Sequence, residues 1–557
     1  MSKEISSAID RYTSCENLLE LYKIPQEWFP SSEALEFVDL LVCDVDRRDG
    51  EAIHHALNSL KNLSLFCKTL SRERRLDMAD AMLLHDIPGR ILHRESEERA
   101  ELSDDLQEGW KEYIQQLKIN NRSQAIVDYM HDQVVIGMSA RAYRESIKFQ
   151  SNGISLHDKE MINNASYDGM VNVAGWGIDM PRVRGDELAV LSGEVNIESL
   201  IIKAAEMLDN IKNPPEQDSQ QLRNILEAES FILVALEVLG YDAMAAEMAS
   251  SCNIYRLRGQ GRGDLVERAA DMYREYSKKD PAELAVQVFG LSEKPDIHWI
   301  VNETSEDICS GINCRFAELI IPIAGVPRRV LFRQKSIGSM AKKMSKKGEN
   351  YTIMDALAFQ VVCDAGDDTL DKKHHYEMTD EEIDRIHTVQ TDDLANVFSS
   401  FVSTIFADER LRVQSGDGVS SPVYVQGNYS YIDAVYSKLA LEHKESVGRE
   451  LKEQETPYRV CRATEFVDDF PVEVQLITDL DRKLGRTDAT SHVAYKNGNG
   501  NNSLRWMHQL HRRLEYMKSG DGNPISRAIG RQALLAVMRG VYPDSFSPED
   551  LYNKNVR

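Results

Sequence analysis

Phe332-Arg-Gln-Lys-Ser-Ile-Gly-Ser-Met-Ala-Lys-Lys-Met-Ser-Lys-Lys-Gly348 is the stretch from which the rest of this chain is read. No acidic residue occurs between Glu318 and Glu349, while Arg328, Arg329, Arg333, Lys335, Lys342, Lys343, Lys346 and Lys347 all fall there. In a chain of formal net charge -24 this island inverts the local field and points to a polyanionic ligand. Ile337, Met340 and Met344 recur at three and four residues, with Gly338 the one helix breaker from Ser336 to Lys347, so the spacing predicts a short amphipathic helix. Arg333 and Lys335 then fall at its N-terminal edge, beside the N–H groups and positive dipole end that favour phosphate, and Lys342 and Lys343 project further along. Taken alone, a lysine-rich helix is more often a solvated basic face or a nucleic-acid patch; the carboxylates further down the chain argue otherwise.

The composition is that of a globular protein: 557 residues, 42% apolar and 28% charged, enough for about two to four domains with their own cores. The N-terminus lacks an apolar signal region, and no window approaches the roughly eighteen apolar residues of a membrane span, so a cytoplasmic protein with no membrane partner is expected. The 8 cysteines are scattered, and Cys309 and Cys314 have no second pair or nearby histidine to complete a zinc site, so reduced thiols are expected. The acidic balance argues against binding long nucleic acid.

To about residue 300 the pattern is helical: Leu35 to Leu70, Leu76 to Leu92, Leu102 to Leu117, Ser123 to Phe149, Ile197 to Ile211, Gln220 to Leu239 and Asp264 to Lys279. Ser151 to Gly193 is rich in Gly and Asn and reads as irregular. After residue 315, strand-like runs at Glu318 to Ile323, Ala356 to Cys363, Val423 to Val425 and Val472 to Thr478 alternate with helices at Ser336 to Lys347 and Asp392 to Phe406. The run Lys438 to Glu455 reads as a charged helix. The linker 497–503 precedes two terminal helices, Leu504 to Lys518 and Ile525 to Arg539.

Two carboxylates belong with the basic island. Asp355 opens the run Asp-Ala-Leu-Ala-Phe-Gln-Val-Val, and a carboxylate at the head of a buried strand is well placed to hold a metal beside phosphates. Glu473 lies in Pro-Val-Glu-Val-Gln-Leu-Ile-Thr, where alternation puts Glu473 and Gln475 on one face and Val472, Val474 and Leu476 on the other. Cations for developing charge, a metal on phosphate oxygens and a carboxylate to take a proton make a phosphoryl-transfer set.

Arg333-Gln-Lys-Ser-Ile-Gly-Ser-Met-Ala-Lys-Lys-Met344 resembles the Arg-x-Lys-x-Ile-x-Ser-Ile-x-x-Lys-Met signature of RelA/SpoT-type guanosine polyphosphate synthetases. Asp355-Ala-Leu-Ala-Phe-Gln-Val-Val is similar to that family's Asp-Leu-x-x-Ile-Arg-x-Ile, Gly427-Asn-Tyr-Ser-Tyr-Ile-Asp433 to a worn Asn-Gly-Tyr-x-Ser-Leu-His, and Val472-Glu-Val-Gln475 to Val-Glu-Val-Gln. Ser491-His-Val-Ala-Tyr-Lys496 follows at the family's interval and Leu504-Arg-Trp-Met-His-Gln-Leu510 resembles the helix that comes next, so the order and most spacings hold over about 270–518, with more chain than the family has between Tyr429 and Glu473. The resemblance implies transfer of pyrophosphate from ATP to the 3′-hydroxyl of GDP or GTP. It gives Arg333, Lys335, Ser339 and Lys343 to ATP, Asp355 and Glu473 to Mg2+ with Glu473 also activating the hydroxyl, Tyr429 to the guanine, and Gln475 and His492 to the nucleotides. Three positions depart from the pattern: Gln360 and Ile477 stand where the family has Arg, and Asp433 where it has His. They bear on the acceptor side, leaving a different acceptor (an adenine nucleotide or a tRNA 3′ end) or a catalytically silent nucleotide-binding regulator as rival readings.

Ser199-Leu-Ile-Ile-Lys-Ala-Ala-Glu-Met-Leu-Asp-Asn-Ile-Lys212 resembles the Leu-Ile-Lys-Leu-Ala-Asp-Arg-Leu-His-Asn-Met-Arg helix of the HD hydrolase domain of long family members, with Glu206 in place of the metal-ligand Asp. His54 and His55 precede His85-Asp86 at a longer interval than the family uses, and His131-Asp132 and His157-Asp158 repeat the dipeptide, so a degenerate domain without hydrolase activity is expected. His508 and His511 read as a surface pair. The expected architecture is α+β: a leader over 1–40, a helical HD-like domain over 41–215, a helical connector over 216–265, a nucleotidyltransferase-like synthetase domain with a mixed sheet over 266–518, and a helical tail over 519–557. Nothing after 518 resembles the family's ribosome-contacting regions, and a homo-oligomer is open.

Overall fold

The computed structural model describes residues 15–32, 34–36, 49–68, 70–84, 197–214, separate positions within 221–236, and 241–301, 313–349, 351–364, 380–407, 423–451 and 459–482. The described residues divide into two compact units, those up to Leu239 and those from Gly240 on. The helices expected over 102–117, 123–149, 504–518 and 525–539, the linker, the three His-Asp dipeptides, His492, His508 and His511 lie outside the described residues.

In the first unit the described elements are helices: α1 (Cys15–Leu21), a single 3-10 turn (Gln26–Trp28), α2 (Asp49–Phe66), α3 (Arg72–Leu84) and α4 (Ile197–Lys212). Leu57, Leu60 and Leu63 of α2 and Ile201, Ala204, Ala205 and Leu208 of α4 are buried at helical spacing, which is why these two helices pack along their length.

The second unit is mixed α+β. Its helices are α5 (Asp242–Gly259), α6 (Gly263–Ser277), α7 (Pro281–Phe289), α8 (Ile337–Lys347), α9 (Asp380–Ala407), α10 (Tyr429–Lys438) and the short α11 (Leu441–Lys444). Its strands are β1 (Ile297–Val301), β2 (Arg315–Ile323), β3 (Val326–Gln334), β4 (Leu357–Cys363), β5 (Val423–Gly427), β6 (Gly448–Leu451), β7 (Val460–Val467) and β8 (Phe470–Thr478). They form one 8-stranded sheet in the order β1-β2-β3-β4-β8-β7-β5-β6, antiparallel except for the pairs β4–β8 and β5–β6. Two hairpins close on two-residue turns with both central residues at positive φ: Ala324 (52°) and Gly325 (78°), then Asp468 (48°) and Asp469 (65°). The charged run after Lys438 is not one helix. It holds the end of α10, α11 and the edge strand β6, because Val447 and Leu451 have an apolar core to meet on β5 and α10.

One face of the sheet is apolar. Val330 and Phe332 of β3, Phe359 and Val361 of β4, Val474 and Leu476 of β8 and Cys461 and Ala463 of β7 share a core with Leu284 and Val288 of α7 and Phe398, Phe401 and Val402 of α9. Burying each large side chain there contributes about 1.5–3 kcal/mol before entropy is counted. Arg328, on the same face, reaches Asp393 of α9 with two bonds of 2.6 Å and ties the helix to β3. Cys252, Cys314, Cys363 and Cys461 are buried free thiols of this unit. Among the described residues no helix is long and apolar enough to cross a membrane.

Candidate active site

Strand register builds the site. On the face opposite the apolar core, Arg333 of β3 pairs with Ala358 of β4, Ala358 with Glu473 of β8, and Glu473 with Thr464 of β7, forming one row across the sheet. The next row, two residues along, runs Leu331, Gln360, Gln475, Arg462 and Tyr424. Glu473 and Gln475 therefore share a face, with Val474 and Leu476 in the core behind them, as the alternation in the sequence predicts.

The basic island supplies the corner beside this face. β3 ends at Gln334, Ser336 caps α8, and Met340 and Met344 are buried while Arg333, Lys346 and Lys347 are exposed. Lys335 sits in the joint between strand and helix, its N–H donating to the carbonyl of Ala356 at 2.8 Å, which holds it against the turn carrying Asp355. Lys335 Nζ donates to Asp355 Oδ2 at 2.5 Å and Lys343 Nζ to Asp355 Oδ1 at 2.8 Å, so each carboxylate oxygen has its own ammonium. Burial would raise the Asp355 carboxyl, but the two ammonium groups outweigh it and hold it well below the usual carboxylate range. Burial pulls Lys335 below the usual lysine range, against the opposing pull of Asp355. The ring of Tyr351 lies 5.7 Å from Lys343 Nζ.

The position of α8 is set by α5. Gly338 lies against the backbone of Ser250: a Cβ there would come within 2.1 Å of the Ser250 carbonyl oxygen. Gly338 N–H donates to Ser250 Oγ at 2.9 Å and Ile337 N–H to the carbonyl of Asn313 at 3.4 Å. Two of the N-terminal amides of α8 are thus committed to the protein itself, which leaves the positive charge of this corner on its side chains. Ser339, half-buried, accepts from Ser336 Oγ at 3.0 Å.

Glu473 is held by neighbours on its own sheet face. Gln360 Nε2 donates to Gln475 Oε1 at 3.4 Å, and Gln475 Nε2 donates to Glu473 Oε2 at 2.6 Å. Arg462 Nη1 stands 3.8 Å from Glu473 Oε1 and 3.4 Å from Tyr424 Oη. Arg462 and Tyr424 are the residues that sequence reasoning missed. Their signal is the alternation Arg462, Thr464, Phe466 against Cys461, Ala463, Val467, which the fully buried Glu465 on the apolar side obscures. Ile477 is buried and pairs with Val362 of β4.

Tyr429 is not brought to this cluster. Gln426 pairs with Val460 at the level of Ile477, four residues beyond Glu473, so Tyr429 starts roughly 13 Å or more from Glu473 along the strands. It is the first residue of α10, 66% exposed, and Asp433 is exposed on the same helix.

In the first unit, His55 Nδ1 lies 2.6 Å from Asp209 Oδ2, and Asn213 Nδ2 donates to Asp209 Oδ1 at 2.7 Å. His54 meets the hydroxyl of Tyr22, and burial lowers its pKa below the ordinary histidine value. Glu206 pairs with Lys203 at 2.9 Å on its own helix.

The described residues do not present a preformed cation site for the magnesium that the resemblance implies. Both oxygens of Asp355 face ammonium groups, Glu473 Oε2 accepts from Gln475, and no group of three metal-ligating side chains occurs among the described residues. No family model matches the chain, and no curated protein matches it in sequence.

Proposed function

We propose that the second unit is a nucleotidyltransferase-like pyrophosphokinase that moves pyrophosphate from ATP to the 3′-hydroxyl of GDP or GTP. The observation that carries this reading is the pair of carboxylates on parallel neighbours: Asp355 with Lys335 and Lys343 at the head of β4, and Glu473 on β8 in one row with Arg333. Arg333, Lys335 and Lys343 hold the ATP polyphosphate and stabilise charge on its oxygens. Glu473, oriented by Gln475 and Arg462, takes the proton of the acceptor hydroxyl. The hydroxyl oxygen bonds to the β-phosphorus as the bridge to the α-phosphorus breaks, and AMP leaves with that bridging oxygen. Positioning and charge supply most of the catalysis such a reaction needs. The first unit is read as an HD-like domain without hydrolase chemistry, since Glu206 is engaged by Lys203 and Asp209 by His55 and Asn213.

A second reading keeps the transfer and changes the acceptor to an adenine nucleotide or a tRNA 3′ end; the exposure of Tyr429 and the burial of Ile477 favour it. Product chromatography with γ-labelled ATP, magnesium and each of GDP, GTP, ADP and bulk tRNA, beside Glu473→Gln, separates them. Label on GDP or GTP with the wild type alone supports the first reading. Label on another acceptor replaces the substrate, and ATP binding with no transfer leaves a silent nucleotide-binding regulator.

A further inference from the structure

We propose that Glu247 of α5 is a positioning residue for the nucleotide-binding corner: through Asn313 it fixes the first turn of α8 and so sets the reach of Lys335 and Lys343. No motif of the sequence points to it, and the proposal rests on the pyrophosphokinase reading only in that this corner takes a polyphosphate.

Glu247 is fully buried, a place where a carboxylate is costly unless both oxygens are bonded. Asn313 satisfies both, donating its backbone N–H to Oε2 at 2.6 Å and its side-chain Nδ2 to Oε1 at 3.2 Å. An acid that only accepts is thus matched to a residue presenting two donors, and an amide in its place would have to turn an NH2 group toward one of them. The carbonyl of Asn313 in turn accepts from Ile337 N–H at 3.4 Å, and Ser250, one turn along α5 from Glu247, accepts from Gly338 N–H at 2.9 Å. Two consecutive residues at the start of α8 are therefore held to one face of α5, and the missing Cβ of Gly338 lets the two backbones close on each other. The far end of α8 is met by Arg262, 35% exposed, which donates to Ser345 Oγ at 3.0 Å, a bond for which water competes. The buried anchor at the first turn sets the tilt. Lys343 stands about 9 Å along the helix axis from Ile337, so a tilt of about 10° at the first turn moves its backbone by about 1.5 Å. Displacements of that size are enough to unmake a bound geometry.

The test uses the full chain, with binding of inorganic tripolyphosphate followed by calorimetry and transfer from ATP followed kinetically. Glu247→Gln and Asn313→Asp are each expected to weaken tripolyphosphate binding about tenfold and to raise the KM for ATP by a similar factor. The KM for the acceptor is expected to stay unchanged, a split that general destabilisation of the fold does not produce. The double variant exchanges the two groups: the amide at 247 accepts the backbone N–H with its oxygen and donates to the carboxylate at 313. It is expected to fold even where a single variant does not, and to bind tripolyphosphate within about twofold of wild type. Binding by a folded Glu247→Gln within about twofold of wild type overturns the proposal, as does a double variant that stays unfolded or about tenfold weaker. Tripolyphosphate binding lost and restored in this way, with no transfer from ATP to any acceptor, upholds the proposal and removes the pyrophosphokinase reading; transfer with binding indifferent to Glu247, or with no tripolyphosphate binding by wild type, does the reverse.

Discussion

The two faces of the central sheet are made by the same strands and solve opposite problems. On the apolar face, the charge of Arg328 is closed off: the side chain is 5% exposed and spends both terminal nitrogens on Asp393. On the polar face, neutral amides link the charged groups, as in the run Gln360, Gln475, Glu473, and Arg462 Nη1 stands 3.8 Å from Glu473 Oε1. The alternation of a strand is thus a division of labour: one set of residues fixes the helices to the sheet, and the other holds a carboxylate oriented on the open face.

That division is broken most severely at Arg328. Arg328→Met leaves Asp393 without its partner on the apolar face and is expected to cost about 3–5 kcal/mol in urea unfolding, with ATP affinity of the folded protein unchanged. On the polar face, Glu473→Gln is expected to lower turnover by about 10³-fold, or ~4 kcal/mol, while shifting Tm by less than about 2 °C. A loss of stability there, or of ATP affinity in the first variant, would blur the two roles.

A titration sharpens the comparison at the end of β8. Burial raises the carboxyl of Asp481 to about 6, against the pull of Arg459, and burial followed by Arg459 lowers His387 to about 4. From about pH 4 to 6 the folded chain keeps a proton on Asp481 that the unfolded chain loses, so this group makes stability fall as pH rises. Folded His387 lacks a proton that the unfolded chain holds, so it makes stability rise over the same window, and the two slopes cancel. His387→Gln is expected to unmask the first, with unfolding free energy falling by on the order of 2 kcal/mol between pH 4 and 6. A flat profile in the variant would count against it. The smallest effect is expected at Tyr429, whose replacement by Ala should leave acceptor affinity within about twofold, or under ~0.5 kcal/mol, as measured by calorimetry.

The helix α8 was legible because Ile337, Met340 and Met344 keep a helical period, β8 because Glu473 and Gln475 alternate with Val472, Val474 and Leu476, and β4 because Leu357 to Cys363 is an almost unbroken apolar run. β3 and β7 were not, because each carries a charge on its buried side, Arg328 and Glu465, which breaks the alternation that marks a strand. Losing β7 meant losing Arg462, so the site read from sequence had its lysine corner and its two carboxylates but not the cation beside Glu473. Lys335, Lys343 and Asp355 were legible as a set, whereas their mutual pairing depends on how β3 ends against the turn before β4, which no local pattern encodes.

The parallel pairing of β4 with β8 sets an order in time. Gln360 and Gln475 touch across 115 residues of chain, whereas β2, β3, α8 and β4 all lie within residues 315–363. At about 5–20 residues per second of synthesis, the segment with Lys335, Lys343 and Asp355 leaves the ribosome roughly 6–24 s before Glu473 does. Under the proposed function, a growing chain therefore owns the phosphate-holding corner well before it owns the group that lets a hydroxyl attack: half-made molecules would bind and not react.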